Sequence, residues 1–196
     1  MAQTAKKDVW LAAGVRTPFA KVDGPLSNVD AIALSVPVVK HMMQRLGGAK
    51  PDFAVWGNVV PNLTWSNIAR EILMDAGVDA TVPAYSTVMA CSTSMMGVFE
   101  AAGMIDGDVR NLALVGGVDS LSQVQLGLGM SLSNWVRQFQ TARSLAQKLT
   151  HAIDLKLSDV RLYIPAVSNR TTGMSMGEHT EITAKEWHIS REAQDQ

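Results

Sequence analysis

The residue with the clearest chemistry in this chain is Cys91, its only cysteine. It follows a short apolar run and precedes three small polar residues (92–94), so it is predicted to lie where a strand passes into a buried helix. The first amides of a helix lack partners within the helix and, with the helix dipole, favour an anion. Cys91 is therefore predicted to be an acyl-transfer nucleophile, with its own amide as an oxyanion donor. Three methionines are expected to supply an apolar wall: Met89, Met95 and Met96.

An inert role for Cys91 stays open at this point, because free cysteines are among the most buried residues and most of them only fill space. A single cysteine excludes an internal disulfide and a cysteine-cluster metal site. The four histidines show no metal-ligand spacing, so no metal site is predicted. A net charge of −1 gives no basic excess for nucleic acid. Since no apolar run reaches about 18 residues, neither a signal peptide nor a membrane span is expected. A cytoplasmic location is expected instead.

Strand and helix patterns alternate through residues 1–122, which predicts an α/β domain with a mostly parallel sheet. The predicted strands cover residues 9–15, 53–60, 84–90 and 112–115. Between them, helices are predicted from residue 28 or 30 to 46, from 62 to 76 and from 91 to 105. Gly116 and Gly117 are interpreted as a turn that needs positive φ, in preference to a phosphate-binding loop.

Residues 123–196 have a different texture and are predicted to form a second domain. A helix is predicted over residues 134–157, with an apolar stripe flanked by Arg and Lys. That stripe indicates either a helix packed on its own domain or one that contacts a membrane surface or a partner. A last helical pattern begins at Met176 and has no stop signal before Gln196, so the chain is expected to be part of a larger architecture.

Five segments, in order along the chain, resemble motifs of the thiolase family. They are residues 15–19 (VRTPF), 67–70 (NIAR), 83–91 (PAYSTVMAC), 116–122 (GGVDSLS) and 176–195, where Met-Gly and later Ile-Ser-Arg-Glu-Ala-Gln-Asp occur.

Two details add to this resemblance and two depart from it. The Met-Ala-Cys context and residues 165–168 (PAVS) are similar to the thiolase subunit of fatty-acid β-oxidation complexes. The chain departs from the family where Cys91 is followed by Ser-Thr-Ser instead of Gly-Ser-Gly. It departs again where Ser175 stands in the place of a frequent His.

The resemblance implies a layered α/β/α half-fold with a mixed, mostly parallel sheet and an inserted loop domain. Residues 1–122 would be the incomplete N-terminal domain, and residues 123–196 would be part of the insertion. The implied reaction cleaves 3-ketoacyl-CoA, or condenses acetyl-CoA, through an acyl-cysteine at Cys91. Coenzyme A would be a substrate, with no permanently bound cofactor, and Met176 would line its pantetheine channel; ordinary packing of Met176 remains the alternative.

The resemblance also implies what this chain lacks. In the family, the second half supplies an activating His and an acid/base Cys, and His179 and His188 do not stand in the family's Gly-His-Pro context. The isolated chain is therefore expected to be inactive. A homodimer or homotetramer and a β-oxidation partner subunit are implied for the full-length form.

Two alternatives to an active thiolase remain open. One is a non-catalytic subunit that keeps the thiolase fold, and the other is a ketoacyl synthase, which fits the flanking motifs less well. Two interpretations of Arg70 also remain open: it could bind a CoA phosphate, but it is more simply interpreted as a surface or ion-pair residue.

Overall fold

Strand β1 (Phe53–Gly57) is the centre of the first unit, and all five of its residues are buried. In the computed structural model, which describes residues 8–60, 62–154, 156–163 and 168–196, the chain forms two compact units that meet in sequence at Gln125 and Leu126. In the first unit, β1 lies between β2 (Ala84–Thr87) and β3 (Ala113–Gly117), and both pairings are parallel. The predicted α/β class with a parallel sheet is thus confirmed.

Alternate residues of β1 face two different helical layers, as the period of two in a strand requires. Ala54 and Trp56 pack with α1 (Ala31–Arg45) and α2 (Ile68–Asp75) in the larger apolar cluster. Phe53 and Val55 instead pack against Ala101 of α3 (Thr93–Asp106). The sheet is therefore covered on both faces, which explains why β1 is apolar throughout.

Helices α1 and α2 begin at polar residues that bond their first free amides. Asp30 caps α1 by accepting from the amide of Ala33 at 2.7 Å. The predicted start of α2 at residue 62 is wrong by six residues. Asn67 caps this helix instead, because its side chain accepts from the amide of Arg70 and donates to the carbonyl of Ala84. The strands β1 and β2 also end three residues earlier than predicted.

The predicted first strand, residues 9–15, is not a strand in the structure. Trp10 and Leu11 are 82% and 85% exposed, and no described residue pairs with this segment in a sheet. Among the contacts that the structure describes here, Arg45 donates to the carbonyl of Gly14 at 3.2 Å. An apolar pattern alone does not make a strand, because the ladder needs a neighbouring chain to bond.

Gly116 and Gly117 also differ from their prediction, because they lie inside β3 and not in a turn with positive φ. A Cβ atom on Gly116 would overlap ring atoms of Trp56. The indole N–H of Trp56 donates to the hydroxyl of Ser35 at 3.2 Å. Glycine is needed here for close approach of a side chain rather than for backbone freedom.

The second unit contains four helices and one short antiparallel strand pair among its described residues. The pair is β4 (Gly127–Leu128) with β5 (Leu162–Tyr163), and the helices are α4 (Met130–Thr141), α5 (Leu145–Asp154), α6 (Met176–Glu186) and α7 (Arg191–Asp195). The last two confirm the helical pattern that begins at Met176.

The single helix predicted over residues 134–157 is wrong, because the chain leaves the helical conformation at Ala142 and divides the segment into α4 and α5. Ser144 caps the new helix by accepting from the amide of Gln147. The apolar stripe is divided as well. Trp135 stacks on Phe139 in α4 and donates to the carbonyl of His151, which joins the two helices.

The face of α5 that bears Leu145, Leu149 and Ile153 is exposed, by 81%, 66% and 83%. These residues recur every four positions, so they form one apolar stripe along the helix. Within the described ranges, no helix is both long enough and apolar enough to cross a membrane.

Candidate active site

Cys91 lies at the edge of the sheet where all three strands of the first unit end. Gly57 is in register with Thr87 on one side and with Gly117 on the other, so the carboxyl ends of the parallel strands coincide. The connection from β2 to α3 starts at this edge, and Cys91 is the middle residue of its 3₁₀ turn (Ala90–Ser92). In parallel α/β sheets this is the edge at which ligands bind.

The helix that follows Cys91 is not buried as a whole, and neither is Cys91 itself. Only one stripe of α3 is covered, consisting of Thr93, Gly97 and Ala101, which let the helix approach the sheet closely. Cys91 is exposed in this chain, whereas a cysteine that only fills space is expected to be buried.

The turn before α3 is tightly bonded by main-chain and side-chain groups. The amide of Ser92 donates to the carbonyl of Met89 at 3.0 Å. Thr93 accepts from the amide of Met89 at 2.8 Å through its hydroxyl and donates to the carbonyl of Ala90 at 2.6 Å. Ala90 has a φ of +46°, a left-handed conformation that costs a residue with a side chain about 1 kcal/mol or more.

Two glycines at the strand ends allow the first turn of α3 to sit directly on the sheet. A Cβ on Gly57 would overlap the methyl group of Thr93. A Cβ on Gly117 would lie 3.0 Å from that of Ser94. Of the three small polar residues after Cys91, Thr93 is therefore turned to the sheet and is 5% exposed, so it is not available to a substrate.

The amino end of α3 has no side-chain cap. It begins at Thr93, two residues later than predicted, and Ser92 at the cap position makes no side-chain bond to the helix. Its first amides and its dipole therefore point towards the turn that carries Cys91. Met89 and Met95 are each 55% exposed beside this turn, consistent with an apolar wall.

Asp119 organises the neighbouring loop and was not singled out in the sequence. One of its carboxylate oxygens accepts from the side chain of Asn58 and from the amides of Val59 and Val60, at 2.8 to 2.9 Å. Asn58 donates to the carbonyl of Val118 as well. The loop after β1 is thus fixed to the loop after β3. An Asp two residues after a strand that ends in Gly-Gly was the available signal.

Glu100 fixes the outer side of α3 to β2. It accepts from the hydroxyls of Tyr85 and Thr87, at 3.1 and 2.9 Å. Burial, followed by the hydrogen bond and the charge of Glu100, raises the pKa of Tyr85 to about 12. At neutral pH the tyrosine is therefore a neutral donor to a carboxylate, a role of support and not of proton transfer.

The remaining predicted residues lie elsewhere. Met176 is the first residue of α6, is 64% exposed, and belongs to the second unit, whereas Cys91 belongs to the first. Ser175 caps α6 in a capping box with Glu178. His179 bonds the hydroxyl of Thr172 at 2.9 Å. Arg70 donates to the carbonyl of Val82 at 3.2 Å, which favours its structural interpretation.

A cavity of about 470 Å³ lies at the opposite edge of the sheet and does not include Cys91. Its walls carry charges of both signs, and Lys50 is already paired with Asp79 at 2.7 Å. The amides of Asn111 and Leu112 lower the pKa of Asp52 in the same wall. Among the described residues, no group of three or more His, Cys, Asp or Glu could hold a metal ion.

The chain was compared with known proteins. The family model described as "Thiolase, N-terminal domain" matches residues 9–196. The 3-ketoacyl-CoA thiolase of Pseudoalteromonas translucida is 37% identical over 98% of this chain and 45% of its own length. That of Photorhabdus laumondii is 36% identical over 95% of this chain and 43% of its own.

A solved structure, the acetyl-CoA acetyltransferase of Bacillus anthracis, has a TM-score of 0.72 with 26% identity. It covers 92% of this chain and 42% of the solved one. In all three comparisons, this chain spans less than half the length of the protein that it matches.

Proposed function

The chain belongs to the thiolase family, and from this premise we propose that it carries the acyl-accepting nucleophile of a thiolase-type acyltransferase, Cys91. The observation that supports this most is the position of Cys91. It is exposed on a tight turn where the parallel strands end, beside the uncapped amino end of α3.

In the proposed reaction, the thiolate of Cys91 attacks the keto carbon of a 3-ketoacyl-CoA and forms a tetrahedral oxyanion. The bond between that carbon and the α-carbon breaks, the acyl group stays on sulfur, and acetyl-CoA leaves as an enolate that takes up a proton. A second coenzyme A then attacks the thioester and releases the shortened acyl-CoA and the thiol of Cys91. The amide of Cys91 is proposed as one donor to the oxyanion.

This chain supplies only part of what that cycle needs. It contains one cysteine, so no second thiol is present to protonate the enolate. His179, the histidine next to Met176 in α6, is bonded to Thr172 within the second unit. We propose that the base and the acid come from a second half like the one in the relatives, which are more than twice as long. Met176 and the second unit, as an inserted loop domain, are proposed to contact the pantetheine of coenzyme A.

The relatives named 3-ketoacyl-CoA thiolase favour the degradative direction, as in fatty-acid β-oxidation. A homodimer or homotetramer, a β-oxidation partner subunit and a cytoplasmic location are proposed on the same likeness. A membrane-surface or partner contact is proposed for the apolar stripe of α5, because Leu145, Leu149 and Ile153 are exposed there.

Acyl transfer to Cys91 tests the proposal directly. The folded chain is incubated with acetyl-CoA, and the peptide that contains residue 91 is examined by mass spectrometry. An acetyl group is expected on Cys91, at a rate above that of the chain unfolded in guanidinium, because only the folded chain holds the thiol beside the amides of α3.

Cys91→Ala is a clean control, because no other cysteine is present. Equal rates for the folded and unfolded chains would contradict an activated nucleophile and leave the non-catalytic subunit as the better description.

A further inference from the structure

Thr93 is the buried polar residue nearest in sequence to Cys91, and its hydroxyl is fully engaged. It accepts from the amide of Met89 at 2.8 Å and donates to the carbonyl of Ala90 at 2.6 Å. The amide of Met89 and the carbonyl of Ala90 stand on either side of the peptide bond that joins these two residues. Ala90 is the residue with positive φ. The hydroxyl therefore closes a ring across the two residues that lead into Cys91.

The left-handed conformation of Ala90 needs such support, because residues with a Cβ adopt it only where the surroundings hold them there. The backbone amide of Thr93 also donates to the carbonyl of Ala90, so that carbonyl receives two bonds from one residue. None of the bonds that close this turn uses the amide of Cys91. The amide of Cys91 belongs to the same peptide unit as the carbonyl of Ala90, so its direction depends on the two bonds from Thr93.

The methyl group of Thr93 fixes the orientation of the hydroxyl. It lies against Gly57 at the end of β1, where any Cβ would overlap it. Rotation about χ1 of Thr93 would carry the hydroxyl away from both Met89 and Ala90, because the methyl and the hydroxyl share the same carbon. The end of the central strand is thus linked to the turn that presents Cys91.

We propose that Thr93 is a positioning residue for the nucleophile: its methyl is held by the glycine at position 57, and its hydroxyl holds Met89 and Ala90 so that Cys91 faces the amino end of α3. This inference rests on the proposed function, in which Cys91 attacks the substrate. Without this role, the buried side chain of Thr93 would be explained by packing alone.

Thr93→Val and Thr93→Ser separate the two parts of the side chain. Valine keeps the shape and the methyl but lacks the hydroxyl, and serine keeps the hydroxyl but lacks the methyl. The measurement is the rate at which iodoacetamide alkylates Cys91 as a function of pH, which reports the thiolate of the chain's only cysteine.

We expect Thr93→Val to lower the rate at neutral pH about tenfold, while Thr93→Ser stays within about twofold of the unaltered chain. A valine variant with an unchanged profile would overturn the proposal. So would a serine variant as slow as valine, because the hydroxyl would then have no role.

Gly57→Ala is a second variant that tests the same contact, and it leaves the hydroxyl of Thr93 in place. The new Cβ overlaps the methyl of Thr93 and forces it to rotate, so slow alkylation like that of the valine variant is expected. The double variant with Thr93→Ser removes the methyl. The nearest remaining atom of residue 93 would then be its Cβ, 3.4 Å away, and the rate should return to that of Thr93→Ser alone.

This second pair of variants keeps the test decisive if the valine variant does not fold, as judged by circular dichroism. A double variant that stays as slow as Gly57→Ala would overturn the link between β1 and the turn. Alkylation needs no acyl-CoA, so the two proposals can fail separately. If acetyl transfer fails while the variants are alkylated at the expected relative rates, the result counts against the proposed function and not against Thr93.

Discussion

At the scale of single residues, the carboxyl edge of the sheet is held by small polar side chains that bond main-chain groups of neighbouring loops. Thr93 closes the turn before Cys91, and Asp119 holds the loop after β1. Thr93 is buried, whereas Asp119 is exposed. Each compensates backbone groups that the strands leave unpaired where they end.

Asp119 gives the clearest prediction for stability at this scale. Asp119→Ala removes the acceptor of three donors in Asn58, Val59 and Val60. Because the carboxylate is exposed and water can replace part of what is lost, the free energy of unfolding should fall by about 1 kcal/mol. Asp119→Asn keeps one acceptor oxygen and should lose less. Urea unfolding of the two variants checks this, and an alanine variant as stable as the unaltered chain would contradict it.

At the scale of elements, α3 and α5 show opposite uses of an apolar helix. The helix α3 turns its small residues, Gly97 and Ala101, towards the sheet and leaves larger ones, such as Phe99, exposed. The helix α5 is joined to α4 by the bond from Trp135 to His151, and its stripe of Leu145, Leu149 and Ile153 faces outward. An exposed apolar stripe on an amphipathic helix is typical of helices that lie on lipid surfaces.

Binding of α5 to anionic vesicles is the prediction that follows from this stripe. We expect the chain to co-sediment with vesicles of phosphatidylserine and phosphatidylcholine, and Leu149→Asp to reduce the bound fraction several-fold because a charge enters the middle of the stripe. Met130→Glu is the matched control, since Met130 is as exposed in the same unit but lies on α4. Equal binding of the two variants, or no binding at all, would leave a protein partner as the better proposal for this face.

At the scale of the whole molecule, the sequence predicts features that neighbouring residues determine better than features that depend on the pairing of distant strands. The alternation of strands and helices, the cap at Asp30 and the strand-to-helix junction at Cys91 follow from neighbouring residues, and the structure contains them. The break at Ala142 and the left-handed Ala90 are not encoded by any strong local signal, since alanine favours neither. The roles of Thr93 and Asp119 depend on strands far away in sequence.

Residues 9–15 are a case in which a local pattern predicts a strand that the structure does not contain. Their composition is that of a buried strand, yet no described residue pairs with them in a sheet and they are exposed. A strand forms only where another backbone is available to it, and composition carries no information on that neighbour. The thiolase fold is nevertheless recognisable in this chain, because the three central strands and the helices on both faces are present.

Limited proteolysis tests this description of the amino-terminal segment. Trypsin should cut after Arg16 and Lys21 before it cuts α1, α2 or the sheet, because these residues are exposed and little of the surrounding backbone is bonded. Arg70 provides the internal control, since it lies in α2 and bonds the carbonyl of Val82, so cleavage after it should be slow. Mass spectrometry of the early products identifies the sites. If residues 9–15 were instead paired as a strand in solution, for example with a second copy of the chain, cleavage at Arg16 would be slow and would accelerate on dilution. An early, concentration-independent cut would show that residues 9–15 are not paired as a strand, either within the chain or between two copies of it.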